Sequence, residues 1–361
     1  MSPALAPMTE SLAQRLLKDV LGGSGPVRVS VIGLSKNAGK TVTLNHLIRA
    51  AAQTAVPLGL VSTGRDGEEQ DAITELPKPR IWAPAGAWVA TAKGALAAGT
   101  ARIDSFMELP MATPFGPVIL GRVAVSGDVL LIGPGSTARM TEVLGALESF
   151  GAQLCLVDGS FDRIAAAAPA VTGQVILAAG AAYSHSMGQT VAQVRHVLDL
   201  FDLPSIAADC QWQVENAMRR WPVSLLPDGG RAVEVPVGSA LGDPEPIVQA
   251  ALDWAGPSCL VLRGALGDRL LMSLLKRQVR TALVLPDATH VLVDRNLWRR
   301  WRGMGGQAFV LRQAHLVAVT TNPHSPVGRD YDAAAYWQAI AEIALRPVYD
   351  LEAGLSQVQK K

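Results

Sequence analysis

The segment VRVSVIGLSKNAGKTVTLNHLIRAAAQ, residues 27–53, constrains the fold more than any other stretch. Its first seven residues are an apolar run of strand length ending on Gly33, and its last fourteen set Leu44, Leu47, Ile48 and Ala51 at helical spacing. A strand that passes straight into a helix returns to its sheet by a crossover, which selects an α/β architecture with parallel strands. The small and polar residues between them present backbone N–H groups at the positive end of the helix, an arrangement that attracts anions.

The common phosphate-loop pattern has four residues between its first Gly and the Gly-Lys pair. Here Gly33 and Gly39 enclose five, and Leu34 occupies the common register. The chemistry survives the extra residue. Gly33, Ser35, Lys36, Asn37, Ala38, Gly39, Lys40, Thr41 and Thr43 are therefore the candidate nucleotide contacts, with Lys40 reaching the outer phosphates and the Thr41 hydroxyl ligating Mg²⁺. Lys36 is expected to touch phosphate within its own chain. Mg²⁺ is a hard cation that takes oxygen ligands, so carboxylates at strand ends beside the loop are the next candidates. Asp158 ends the apolar run LCLVD, and Asp66 follows the run PLGLVST, with Glu68 or Glu69 as substitutes. Asp158 is assigned with Lys40 to the reacting end. The ordinary alternatives are a helix cap for Asp158 and an Asp-Gly turn for Asp66. Asp162 reads as a helix cap, and Arg163 as a partner of phosphate or of solvent.

Short apolar runs alternate with helical stretches on both sides of this segment, so the fold class is α/β: an N-terminal P-loop NTPase unit with a mostly parallel sheet, plus a second α/β domain. The boundary is placed at 204/205. Residues 1–204 would form the nucleotide-binding domain, opened by an amphipathic helix bearing Leu12, Leu16 and Val20, and interrupted by a proline-rich, antiparallel insertion around 75–127. Residues 205–361 would form the second domain, suited to a partner. The joint is expected between Pro204 and Gly242, where Pro, Asp and Gly cluster. DVLLIGP, QVILAAG, THVLVD and HLVAVTTNP read as strands, and RPVYDLEAGL as a final edge strand with a solvated Asp350.

Hydrophobic residues make up 49% of the chain and charged ones 17%, which excludes a disordered protein. The 32 Lys and Arg against 31 Asp and Glu leave no global field for nucleic acid or an anionic membrane. Cys155, Cys210 and Cys259 lie far apart in sequence and read as buried small residues, not as a disulfide framework or zinc site. Charges break up the N-terminal leucines and no apolar run approaches the ~18–20 residues of a membrane helix, so the expectation is a cytoplasmic protein. DRNLWRRWRGMGG interleaves four arginines with two tryptophans; without a nucleic-acid module it reads as a helix that packs its indoles and keeps its arginines wet. His185, in AAGAAYSHSMGQT, lacks a visible acid or nucleophile partner. That segment follows a strand at the ligand edge and could meet the base or a partner. Asn322-Pro323 begins a rigid polar loop, either a recognition element or a stapled connection.

The Gly-x5-Gly-Lys-Thr spacing resembles that of dethiobiotin synthetase and its relatives, the MinD-like ATPases. Lys36 departs from the MinD pattern, in which a signature lysine reaches across a dimer, by standing four residues before Lys40 instead of five, which leaves dimer-bridging as the lesser alternative to a contact within its own chain. Taken together, GLSKNAGKT, TGRDGE, LPKPRIWAPAGAWVATA, LVDGSFDR, ILAAGAAYSHSM and the late VTTNPHSPVGRDYD and PVYDL resemble the reactivase subunit that accompanies lysine 5,6-aminomutase, an enzyme dependent on adenosylcobalamin and pyridoxal phosphate. No Asn-Lys-x-Asp-type guanine motif is evident, which favours ATP over GTP as the nucleotide, with Mg²⁺. The resemblance implies a companion reactivase subunit and the mutase as partners, and exchange of damaged cobalamin as the task. The mutase would carry the cobalamin. The alternative is an ATP-dependent small-molecule enzyme like dethiobiotin synthetase, which activates a carboxylate by phosphoryl transfer.

Overall fold

The computed structural model describes residues 10–23, 25–63, 80–159, 169–254, 256–326 and 328–357. The chain opens with α1 (Leu12–Val20), whose Ser11 and Gln14 form a reciprocal capping box, then β1 (Val27–Gly33), α2 (Lys40–Gln53) and β2 (Leu58–Ser62). Next come β3 (Ile81–Ala83), β4 (Trp88–Ala92), β5 (Arg102–Thr113), β6 (Gly116–Val125) and β7 (Gly127–Val129). Then follow α3 (Thr137–Ser149), β8 (Leu154–Asp158), α4 (Pro169–Thr172), β9 (Gly173–Gly180) and α5 (Met187–Phe201). The middle of the chain holds α6 (Gln211–Arg220), β10 (Val223–Pro227), β11 (Val233–Glu234), α7 (Glu245–Asp253), β12 (Ser258–Leu262), β13 (Leu266–Gly267) and α8 (Asp268–Lys276). β14 (Ala282–Leu285), β15 (Val291–Leu292), α9 (Arg295–Gly303) and β16 (Ala308–Val310) follow, and the chain closes with β17 (His315–Asn322), α10 (Ala333–Ile343), β18 (Val348–Asp350) and β19 (Leu355–Gln357).

Two compact units result, residues 1–194 with 316–361, and residues 195–315. This differs from the boundary at 204/205. The last segment belongs with the first unit because β17 takes the place beside β9 in its sheet. The Pro204–Gly242 stretch is likewise no mere joint, since it contributes α6, β10 and β11 to the second unit.

The first unit is built on a ten-stranded sheet in the order β19-β18-β17-β9-β1-β8-β2-β4-β6-β5. β1 runs parallel to both β8 and β9, β2 parallel to β8 and β4, and β18 parallel to β17. The insertion supplies the antiparallel end, a β5–β6 hairpin laid against β4. Side chains of the central strands alternate between two buried faces. Leu154 and Leu156 of β8 join Val29, Val31, Leu47, Ile48 and α1's Leu16 on one, while Cys155 and Val157 join Met140, Val143 and Leu147 of α3 on the other. Burying each such side chain contributes ~1.5–3 kcal/mol, so cover on both faces explains why these strands read as continuous apolar runs. DVLLIGP departs from its expected strand: only Gly127–Val129 pairs, with β3, and the next residues run beside β4 through the Thr91 hydroxyl, which donates to Leu130 O and accepts from Ile132 N.

The second unit holds a five-stranded sheet, β11-β10-β12-β14-β16, with β12, β14 and β16 parallel and β10 antiparallel to its neighbours. THVLVD forms a short 3-10 turn and the two-residue β15, which pairs with β13. On α9, Trp298 and Trp301 are buried with ring centroids 5.2 Å apart, while Arg299, Arg300 and Arg302 stay exposed. Of the cysteines only Cys155 is fully buried; Cys210 and Cys259 are partly exposed and all three are free. Among the described residues, no helix is long and apolar enough to cross a membrane.

Candidate functional site

β1 delivers the chain to Gly33 at the carboxyl edge of the parallel strands, where ligands bind in open α/β sheets. Leu34 N continues the ladder one residue further by donating to Ala178 O (3.2 Å). The backbone then turns left-handed at Asn37 (φ 58°) and at Gly39 (φ 97°), the residue that opens α2. Left-handed positions of this kind let successive N–H groups converge on an anion.

Packing explains the small residues. A Cβ on Gly33 would stand 2.9 Å from Lys40 Cγ, so the lysine stem lies across the strand end, and Lys40 Nζ reaches back over the loop to 3.5 Å from Ser35 O. Ala38 is buried against Gly180 at the end of β9, where a Cβ would come within 2.4 Å of Ala38 Cα. Gly39 abuts Asn322 of β17, whose Cβ would be 2.8 Å from a Cβ at that position. Lys36 and Asn37 form the exposed crest, and Ser35 Oγ donates to Lys36 O (3.0 Å).

The structure brings Lys40, Thr41 and Asp158 to one edge. Asp158 ends β8 in register with Val31 of β1 and Ser62 of β2, and its carbonyl accepts from Thr63 N (2.9 Å). Thr41 lies in the first turn of α2, partly exposed. Thr43 is buried instead, and its hydroxyl shares a 2.7 Å hydrogen bond with that of Thr320. Asp66, Glu68, Glu69, Asp162 and Arg163 lie outside the described residues. Among the described residues, no three His, Cys, Asp or Glu side chains gather to hold a metal. A hydroxyl and one carboxylate are a donor set that suits Mg²⁺ completed by phosphate and water, and not a protein cage.

The Asn322-Pro323 loop comes to the same side of the sheet. A small pocket with room for about one water lies between Gly39, Val42 and Thr43, residues 320–323 of β17 and its loop, and residues 350–352 at the end of β18. Beyond it, Asn322 Oδ1 accepts from His324 N (3.2 Å), Asp330 takes His324 Nδ1 (2.9 Å) and Ser325 N (2.8 Å), and Tyr331 OH donates to Ser184 O. The Asn322-Pro323 loop is therefore stapled, and it also borders the pocket. The His324 pKa is raised by its bond to Asp330. Asp350 is buried, a correction to its expected solvation, because β18 is flanked by β17 and β19 and is not the edge. His185 is exposed. Burial pushes the Cys155 thiol up to about 12 and the Cys259 thiol to about 11, so neither supplies a thiolate nucleophile at neutral pH. No known protein family, curated protein or solved structure matches the chain.

Proposed function

We propose that the chain binds ATP with Mg²⁺ in the cytoplasm and serves as a reactivase subunit for an adenosylcobalamin-dependent aminomutase, together with a companion subunit. The observation that carries the nucleotide part is the loop from Gly33 to Thr41, running from a central parallel strand into a helix with Lys40 folded back across it. Its backbone N–H groups and Lys40 would hold the phosphates, and Thr41 and Asp158 would hold the metal, which when bound neutralises charge on the phosphate oxygens. The reactivase part rests on the resemblance of the strings given above to that subunit. The alternative, an ATP-dependent enzyme that phosphorylates a carboxylate, rests on the five-residue spacer shared with dethiobiotin synthetase.

ADP release and recovered mutase activity, measured with inactivated lysine 5,6-aminomutase and the companion subunit, test the reading. Stimulation and recovery that vanish in Lys40→Ala support it. Robust ADP release with a small carboxylate alone moves the function to the alternative, and unchanged ATP affinity in Lys40→Ala removes the site.

A further inference from the structure

Charge is unevenly spread along the second unit. Residues 195–262 carry four Lys and Arg against nine Asp and Glu, whereas residues 263–315 carry ten against three. The basic half contains α8 and α9, which pack against each other. α8 links β12 to β14 and α9 links β14 to β16, all parallel neighbours, so right-handed crossovers set both helices on one face of the sheet. Leu270, Leu271, Leu274 and Leu275 of α8 and Trp298 and Trp301 of α9 are buried. Helical spacing then turns Arg269, Met272 and Lys276 outward from α8, and Asn296, Arg299 and Arg300 outward from α9, and all six are exposed. The acids that could neutralise this face are engaged elsewhere. Asp268 accepts from Asp294 N (2.7 Å), Asp294 caps α9 through Asn296 N (2.9 Å) and Leu297 N (3.1 Å), and Asp287 is buried. Among the described residues, Arg269, Lys276 and Arg300 make no ion pair. Arg269 also stands in the first turn of α8, where the positive end of the helix disfavours a cation, so helix stability does not account for it.

We propose that the outer face of α8 and α9 docks a partner protein through an acidic surface of that partner, whose carboxylates meet Arg269, Lys276 and Arg300 around Met272. Guanidinium groups match carboxylates in two-pronged bonds, and Arg and Met are enriched at protein interfaces. Nucleic acid fits this face less well, because the two tryptophans that would stack on bases are only 3% and 4% exposed. The proposal uses no residue of the Gly33–Thr41 loop and stands apart from the nucleotide reading.

Fluorescence anisotropy of the full chain tests this with three labelled probes: a peptide of repeated Glu-Glu-Leu, its Gln-Gln-Leu counterpart, and an oligothymidine of the same charge as the acidic peptide. The acidic peptide is expected to bind tightest of the three, with an affinity that falls as salt rises. Reversing two cations together, Arg269→Glu with Arg300→Glu, is expected to lower that affinity by at least about tenfold. Arg219→Glu with Arg231→Glu makes the same change in net charge at exposed positions outside α8 and α9, and is expected to stay within about twofold of wild type. Urea unfolding checks that both variants fold, and Arg269→Gln with Arg300→Gln carries the test if the first does not. Absence of binding by the wild-type chain, equal losses in the two variants, or equal binding of the Gln-Gln-Leu peptide overturns the proposal. Tighter binding of oligothymidine also overturns it and assigns the face to nucleic acid.

Discussion

Gly180→Ala adds one methyl group at the point where β9 supports the loop from Gly33 to Thr41, the proposed phosphate site. The new Cβ would lie 2.4 Å from Ala38 Cα, 2.7 Å from Ala38 O and 2.8 Å from Ala38 C. Carbon atoms rest at ~3.5–4.0 Å, so the loop must retreat by about 1 Å or more. Nothing nearby offers slack: Gly180 and Ala38 are both buried, and the opposing atoms are backbone, not the end of a flexible side chain. Overpacking of this kind costs ~1–3 kcal/mol in stability. Binding constellations tolerate displacements of ~0.5 Å, so ATP affinity should fall by at least about tenfold. Gly145→Ala in α3 is the matched control, because its Cβ would meet nothing within 4 Å and Ala favours a helix over Gly by ~1 kcal/mol. Urea unfolding and ATP titration of the two variants should move in opposite directions in stability, and only Gly180→Ala should lose affinity. Unchanged affinity in a folded Gly180→Ala would refute the claim that this loop contacts the ligand.

On the proposed function, Asp158→Asn should fold normally and bind ATP but lose the dependence of ADP release on Mg²⁺; an unaltered Mg²⁺ titration would remove Asp158 from the proposed metal ligands. Glu148→Gln should cost ~2 kcal/mol in urea unfolding, because it breaks the two-pronged pair with Arg28 (2.6 and 2.7 Å), whose side chains are only 25% and 22% exposed; a loss below ~0.5 kcal/mol would reduce that pair to an ordinary surface contact. His196 and His46 have pKa values lowered by burial, so the folded chain refuses protons that the unfolded chain takes up below its value of ~6.5. Stability should therefore be full above that value and be lost as the pH falls through the lowered folded values, with a shallower slope in His196→Gln. An identical slope in the variant would show that His196 does not carry the effect. His324 has the opposite sign, its stabilisation fading as pH rises through its raised value, but it is exposed and solvent-screened.

Local spacing was enough to find β1, the loop and α2, because a strand-to-helix turn with glycines and a following Lys-Thr is written in adjacent residues. The same holds for α1, for the antiparallel insertion, and for α9, where tryptophans three apart share one helical face. DVLLIGP is a strand only at its start, for a physical reason. Apolar composition reports burial, and past Val129, where the pairing with β3 ends, the segment is buried beside β4 through the Thr91 hydroxyl and one backbone bond, Ala92 N–H to Ile132 O, and forms no ladder. Cys259 shows the converse, a residue of apolar type left partly exposed.

What the sequence determined alone is the chemistry at hand: an α/β layering, a chain without a dominant charge, and a loop whose residue types suit an anion and a hard cation. Tertiary structure decided which distant residues share that edge. β17 crosses back after residues 195–315 to pair beside β9, and so places Thr320 on Thr43, Asn322 against Gly39, and Asp350 beside the pocket. Strand order arises from pairing between segments more than a hundred residues apart, as β1 with β8 and β9. Periodicity records which faces are buried, but not which neighbour buries them.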